Sequence, residues 1–331
     1  MSPDPLHKPP FWGGQGESKL TDLGAREWRV AVDYRYLHGN QFFLGDQVNS
    51  SFAPFGQPII YHIHSADVTV TYAATDRFNL SLTVPVLDGT QSAVRADTVR
   101  HAAHAFGLGD ISLVGSAWLL NPETHAKGNV ALGLGVKAPT GSNKYADSFF
   151  RANGSSIQYP VDQSIQPGDG GWGVILQMQA FRRLFARAFA YLAGAYLVSP
   201  RALSDISRPP PSTSVYWSVP DVYSGRVGLM YGLLPEQGLS VSLGGRIDGI
   251  PYHDLVGGGD DGFRRPGHVV FLDPGVALTR GRSTLTLSTP IRLSGSLADS
   301  AMVRPNGVPN PTRAAGDLAR MLVFVGYARR F

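Results

Sequence analysis

From Glu27 to Leu37 the chain alternates with a period of two. Trp28, Val30, Val32, Tyr34 and Tyr36 fall on one face, and Arg29, Ala31, Asp33 and Arg35 fall on the other. Successive side chains of a strand point to opposite sides, so this stretch reads as a strand with one apolar and one polar face. The same grammar returns along the chain. Phe78, Leu80, Leu82 and Val84 oppose Asn79, Ser81 and Thr83, and Leu239, Val241, Leu243 and Ile247 oppose Ser240, Ser242, Arg246 and Asp248. Twelve such segments are predicted, at 27–38, 61–74, 77–86, 110–120, 128–138, 171–181, 185–198, 221–233, 239–250, 268–280, 283–293 and 317–331. Most are close to the length a tilted strand needs to cross a bilayer.

The connections alternate as well. Short ones centre on 75–76, 121–127, 182–184, 235–238 and 281–282, and long ones cover 39–60, 87–109, 139–170, 199–220, 251–267 and 294–316. Tight turns on one side and long loops on the other are the layout of bacterial outer-membrane barrels. The expected fold is therefore all-β, a transmembrane antiparallel up-and-down β-barrel of about 12 strands over residues 27–331. An even strand number puts both termini on the side of the short turns. Pro85, Pro139, Pro200, Pro251 and Pro290 are expected at strand ends, where a missing ladder donor is tolerated.

Composition changes this picture little. No run of 18 apolar residues exists in the 331, so no helix is expected to span a bilayer. A 43% apolar content suits a barrel, which is apolar on its outer face alone. The chain has no cysteine, which removes disulfides and thiol chemistry. A net charge of +4 is dispersed without a basic run, so no nucleic-acid partner is expected. Residues 1–10 hold no apolar stretch of the export-signal kind, so the expected bacterial outer-membrane location rests on the strand pattern. Residues 1–26, rich in Pro and Gly, are read as a periplasmic tail or a plug for the barrel mouth. Met321, Val323, Val325, Tyr327 and Phe331 share one parity, and an aromatic ending on Phe331 is similar to the signal read by the barrel-insertion machinery.

Three stretches carry a further likeness: Gly107 to Leu113 (GLGDISL), Ala131 to Gly141 (ALGLGVKAPTG) and Gln166 to Gly173 (QPGDGGWG). They resemble the outer-membrane transporters named after the meta-pathway of phenol degradation, over roughly residues 65–250. The resemblance implies passage of small, often aromatic or apolar, molecules. It implies no catalytic residue set.

The polar parity would line the lumen. Its basic members are Arg29, Arg35, Lys137, Arg187, Arg226, Arg246, Arg292 and Arg320, and its acidic members are Asp33, Asp67, Asp110, Asp248 and Asp273. The selectivity candidates are Arg29, Asp33, Arg35, Asp67, Lys137, Arg226, Arg246, Asp248 and Arg292. Such charges survive inside a barrel when solvated or paired, so they either tune a water-filled pore or brace the wall. The basic excess would give a conducting lumen a mild anion preference. His62 and His64 share a strand face without an evident third metal ligand, and His101 and His104 fall in a loop. The run Gly257 to Gly262 departs from a calcium-loop pattern. No metal, cofactor or catalytic set is expected. The leading function is a channel or carrier for small solutes, embedded in outer-membrane lipid. A loop-displaying adhesion barrel is the alternative, followed by a barrel-embedded lipid hydrolase; the oligomeric state is left open.

Overall fold

The computed structural model describes residues 23–49, 51, 54–207, 215–256, 262–300 and 315–331. The tail or plug assigned to 1–26, Gly257 to Asp261 and the triple proline at 209–211 lie wholly or almost wholly outside the described residues.

The strands are β1 (Trp28–Gly39), β2 (Phe42–Leu44), β3 (Gln47–Val48), β4 (Ile60–Ala73), β5 (Phe78–Val94), β6 (Arg100–Leu108), β7 (Ser112–Trp118), β8 (Gly128–Lys137), β9 (Ala146–Phe150) and β10 (Ser156–Pro160). They continue with β11 (Gly173–Phe185), β12 (Ala188–Val198), β13 (Leu203–Ser207), β14 (Tyr216–Ser218), β15 (Val222–Leu234), β16 (Leu239–Ile250), β17 (Gly267–Arg280), β18 (Ser283–Ser288), β19 (Ile291–Leu297), β20 (Ala315–Asp317) and β21 (Met321–Arg330). Fourteen of them share one antiparallel sheet. The sheet closes because β1 pairs with β21, from Arg29 opposite Arg330 to His38 opposite Met321. Closure satisfies every edge, which a wall in lipid requires. Two wall positions are each filled by two strands, β6 with β7 and β18 with β19, so the barrel has twelve positions.

Those two breaks correct the sequence reading. Residues 87–109 are not one long loop. β5 runs on to Val94 and returns as β6, with Val86 opposite Leu108 and Val94 opposite Arg100. His101 and His104 therefore lie on a strand. Pro85 is inside β5, where the strand changes partner from β7 to β6. Three residues, 109–111, face two on β5, and Gly109 N bonds the Pro85 carbonyl at 2.8 Å. A proline has no donor to lose at such a bulge. Pro290 likewise separates β18 from β19 rather than ending the strand.

The face assignment follows the alternation. Outward Leu134 is 62% exposed and Val227 58%, while inward Asp273 is 1% exposed. This inside-out burial is that of a wall in lipid. Tyr191 lies across the inward side of β15 and β16. A Cβ on Gly228 would come within 2.5 Å of its hydroxyl and 2.7 Å of Gly244 Cα. Gly228→Ala is therefore expected to cost about 1–3 kcal/mol by overpacking. Gly225→Ala, whose new atom would meet nothing closer than 3.4 Å, is the control. Urea titration of the folded barrel in micelles checks this; equal midpoints for the two variants would refute it.

Candidate functional site: the layered lumen

The inward side chains change character along the barrel axis. At the end carrying the long connections they are apolar. Leu37, Tyr61, Ile63, Leu87, Phe271 and Leu322 from the wall form one buried cluster with Phe42, Phe43, Ile165 and Leu318 from the connections. The connections thus fold into the barrel. β20 pairs with β2, Phe42 opposite Asp317, and β2 with β3. The turn at Gln163–Ile165 is capped by the Asp162 side chain, which accepts from Ser164 N, and it lays Ile165 against Gly89. At the end carrying the tight turns the lining is hydroxyl and amide. Thr69 bonds Thr83 at 2.9 Å, and Thr71 bonds Ser81 at 3.0 Å.

A belt of charge separates the two. On β15 to β18, Arg226 Nε donates to Asp273 Oδ2 at 2.7 Å, and Ser288 donates to the other Asp273 oxygen. Arg246 holds Asp248 with two bonds, at 2.7 and 3.1 Å, and lies over the Phe324 ring at 4.8 Å. On β1 and β4, Asp33 is opposite Asp67, and Arg35 Nε donates to Ser65 Oγ at 3.2 Å. Gly326 makes room on β21, since a Cβ there would stand 2.5 Å from both Asp33 Oδ1 and Thr286 Oγ1. Arg29, opposite Thr71 and Arg330, is nearer the turn end.

Of the nine candidates, the structure gathers Asp33, Arg35 and Asp67 on one side and Arg226, Arg246 and Asp248 on the other. Two are placed apart. Arg292 donates to the carbonyls of Leu318 and Ala319 and to Gln41 Oε1, with Phe43 beneath it, so it pins the infolded connections. Arg187 and Arg320, counted with the lumen set, are exposed residues outside the strands.

Lys137 is the other outlier. It ends β8 at the bulge between β6 and β7, and its Nζ donates to Asp110 Oδ2 at 2.9 Å, Asp169 Oδ1 at 2.5 Å and Gly171 O at 2.8 Å. Asp110 also accepts from Gly141 N, and Asp169 from Gly171 N. Thr140 Oγ1 donates to Gly109 O and accepts from Ile111 N. Gly168 and Gly141 pack backbone to backbone; a Cβ on Gly168 would fall 2.2 Å from Gly141 O. The three stretches behind the family likeness thus meet in one buried lock.

Sequence reasoning missed the charges in the long connections. Arg264 is fully buried and bonds both oxygens of Asp254 at 2.5 Å, while Asp221 accepts from Ser199 N and Leu255 N. Asp317 is 5% exposed, and neither carboxyl oxygen has a hydrogen-bond partner among the described residues. Burial pushes its carboxyl up to about 7; Arg265 opposes the shift and Asp162 adds to it. Such positions follow no period, so no pattern marks them. Only Asp169 stood in a stretch already singled out.

No family model matches the chain, and no curated protein matches it. Solved structures do. The COG4313 outer membrane channel from Pseudomonas putida aligns with a TM-score of 0.61 at 15% identity, over 93% of this chain and 97% of that one. A Pseudomonas aeruginosa FadL homologue aligns at 0.43 and 8% identity, over 94% and 91%. The Ralstonia pickettii toluene transporter TbuX aligns at 0.47 and 7%, over 95% and 92%. Likeness at these identities is one of fold. The twelve-position closed wall, with tight turns at one end and infolded connections at the other, is the architecture of an outer-membrane β-barrel.

Proposed function

We propose that the chain is an outer-membrane carrier for passive uptake of small solutes of apolar or aromatic character. The observation that carries this reading is the apolar layer at the loop end. A pore for hydrophilic solutes presents water-lined walls throughout. Here Tyr61, Ile63, Leu87, Phe271 and Leu322 face the axis and are covered by infolded connections. An apolar solute gains from that lining when the connections shift, and a sugar does not. The long connections face the cell exterior in this reading, and the tight turns face the periplasm.

The charged belt lies beneath. Among the described residues it has three basic members, Arg35, Arg226 and Arg246, and four acidic ones, Asp33, Asp67, Asp248 and Asp273. The basic excess noted in the sequence came from residues outside the belt, so any ionic leak is expected to show little anion preference. The pairs hold the wall in shape below the solute path. A lipid hydrolase finds less support: His62 and His64 bond tyrosines, and His101 and His104 bond aspartates, rather than serines.

Uptake by vesicles with a lipopolysaccharide outer leaflet tests the proposal. The folded chain is expected to speed entry of a labelled aromatic hydrocarbon at least tenfold and to leave entry of a disaccharide unchanged. Fast disaccharide entry without aromatic entry would replace it with a hydrophilic pore, and no change in either would favour a loop-displaying barrel.

A further inference from the structure

The outward face of β1 and β4 begins apolar at the turn end. The Trp28 and Tyr72 rings meet at a tilt with centroids 4.5 Å apart, and Val30 and Val32 stand opposite Val70 and Val68. Toward the loop end the same face turns polar. Tyr34, Tyr36 and His38 follow on β1, and His64 and His62 on β4, with Tyr36 opposite His64 and His38 opposite His62. β5 continues the rows, placing Asp88 opposite His64 and Thr90 opposite His62, and β6 adds His104 opposite Thr90. Outward positions toward the loop end of β8, β11, β16 and β17 include Val136, Val174, Ile247 and Val270. The cluster of paired tyrosines and histidines spans four adjacent wall strands, and a separate outward histidine, His268, stands on β17. The cluster stands at the loop end of the outward face, beyond the apolar Val30, Val32, Val68 and Val70, as polar side chains at the level of lipid headgroups do.

The hydrogen bonds fix its chemistry. Tyr34 OH is 2.7 Å from His64 Nδ1, and Tyr36 OH is 2.9 Å from His62 Nδ1. A phenol is the better donor and a neutral imidazole nitrogen the better acceptor, so each tyrosine donates to Nδ1 and the ring proton sits on Nε2. Two N–H donors are thereby held on one strand face, roughly 7 Å apart by the strand rise. The neighbouring carboxylate, Asp88, is engaged by His104 Nε2 at 2.7 Å. Arg100, at the top of β6, adds a permanent positive charge. The β21 residues facing β1 here, Val325, Val323 and Met321, carry none.

We propose that His62 and His64, oriented by Tyr36 and Tyr34, bind the phosphate of an outer-leaflet lipid headgroup. Both rings donate while neutral. Protonation of either ring adds a positive charge beside the phosphate, so binding tightens with acidification. The inference rests on the barrel crossing the outer membrane but not on what passes through it. Substitutions on this outward face are expected to leave solute uptake unchanged, so the two readings fail separately.

The test is a titration of the full folded chain, in non-ionic micelles, with a diphosphorylated glucosamine-disaccharide lipid and its dephosphorylated form, by native mass spectrometry at pH 8 and pH 5.5. At least tenfold preference for the phosphorylated lipid is expected, larger at pH 5.5. His62→Leu/His64→Leu is expected to abolish the preference, and His268→Leu, on an outward position of β17, to keep it. Tyr34→Phe/Tyr36→Phe is expected to weaken binding at pH 8 more than at pH 5.5. His62→Gln/His64→Gln, which keeps an amide donor, is expected to retain binding and lose the pH response. Heat-modifiable gel migration reports folding; if a variant fails to fold, the lipid comparison and the glutamine variant still decide. Equal binding of the two lipids, or an unchanged preference in the folded leucine variant, would overturn the proposal. Displacement by millimolar inorganic phosphate would overturn the lipid as occupant.

Discussion

Lys137→Met is expected to destabilise the barrel by about 3–5 kcal/mol, the range for removing one partner of a buried ion pair. The lysine is nearly inaccessible, and its three protons are directed at Asp110, Asp169 and the Gly171 carbonyl. Methionine fills the volume but leaves two carboxylates buried against one another. Backbone N–H groups of Gly141 and Gly171 still bond them, which keeps the cost from rising further. The sign of the pH dependence follows. Like-charge proximity and burial raise the folded-state carboxyl values in the variant above their unfolded ones. Its remaining stability is then fully present below the unfolded value and declines as pH rises through the folded ones. The deficit should be larger at pH 8 than at pH 5. Adding Asp110→Asn and Asp169→Asn should recover much of it, since the three residues act as one unit. Urea titration in micelles, followed by tryptophan fluorescence, measures both. A loss below 1 kcal/mol at pH 8 would mean that the lock contributes little. The second readout is cleavage by added protease within 138–172, which should accelerate as the anchor of that connection is lost.

The connections at the loop end are expected to loosen as pH rises from about 4 to about 7, and Asp317→Asn should abolish that response. Asp317 is buried where β20 meets β2, and its ordinary value near 4 is carried up to about 7 by burial. Ionisation in that setting works against docking. A shift of this size corresponds to at most ~4 kcal/mol, expressed locally rather than across the barrel. The raised value gives the sign: docking is strongest below the unfolded value, weakens as pH climbs through the folded one, and is level above it. Arg265 opposes the effect from the other side. It is itself buried, over the rings of Trp217 and Phe263 at 5.8 and 5.6 Å, and those faces remain in the variant. Hydrogen exchange of the β2 and β20 amides, corrected for intrinsic rates, is the measurement. Protection that stays constant between pH 4 and pH 8 in the unaltered chain would show that the carboxyl is solvated or bridged. In the apolar-carrier reading, this is the segment that must shift to admit a solute, so uptake should rise over the same interval.

The wall was legible because its code is local. The assignments of Arg29, Asp33 and Arg35 to one face and Val30, Val32 and Tyr34 to the other need only the two-residue repeat of an extended chain. Errors arose where a strand changes partner. The bulge at 109–111 flips the alternation between β6 and β7, and Pro85 gave a false stop inside β5. A one-residue bulge inverts the faces beyond it, and no residue type announces it.

The sequence alone determined the fold class, the twelve wall positions, the sidedness of the connections and the face of the wall residues within each uninterrupted strand. These follow from backbone geometry and from one apolar solvent on one side. Only the tertiary structure decided which charges meet. Arg226 finds Asp273 across 47 positions, and Lys137 finds Asp110 and Asp169 across 27 and 32. It also decided that the lumen is layered from apolar to charged to hydroxyl, and that the connections fold inward. Partnerships of that kind depend on strand register, closure and loop return, which sum over the whole barrel and leave no periodic trace in the chain.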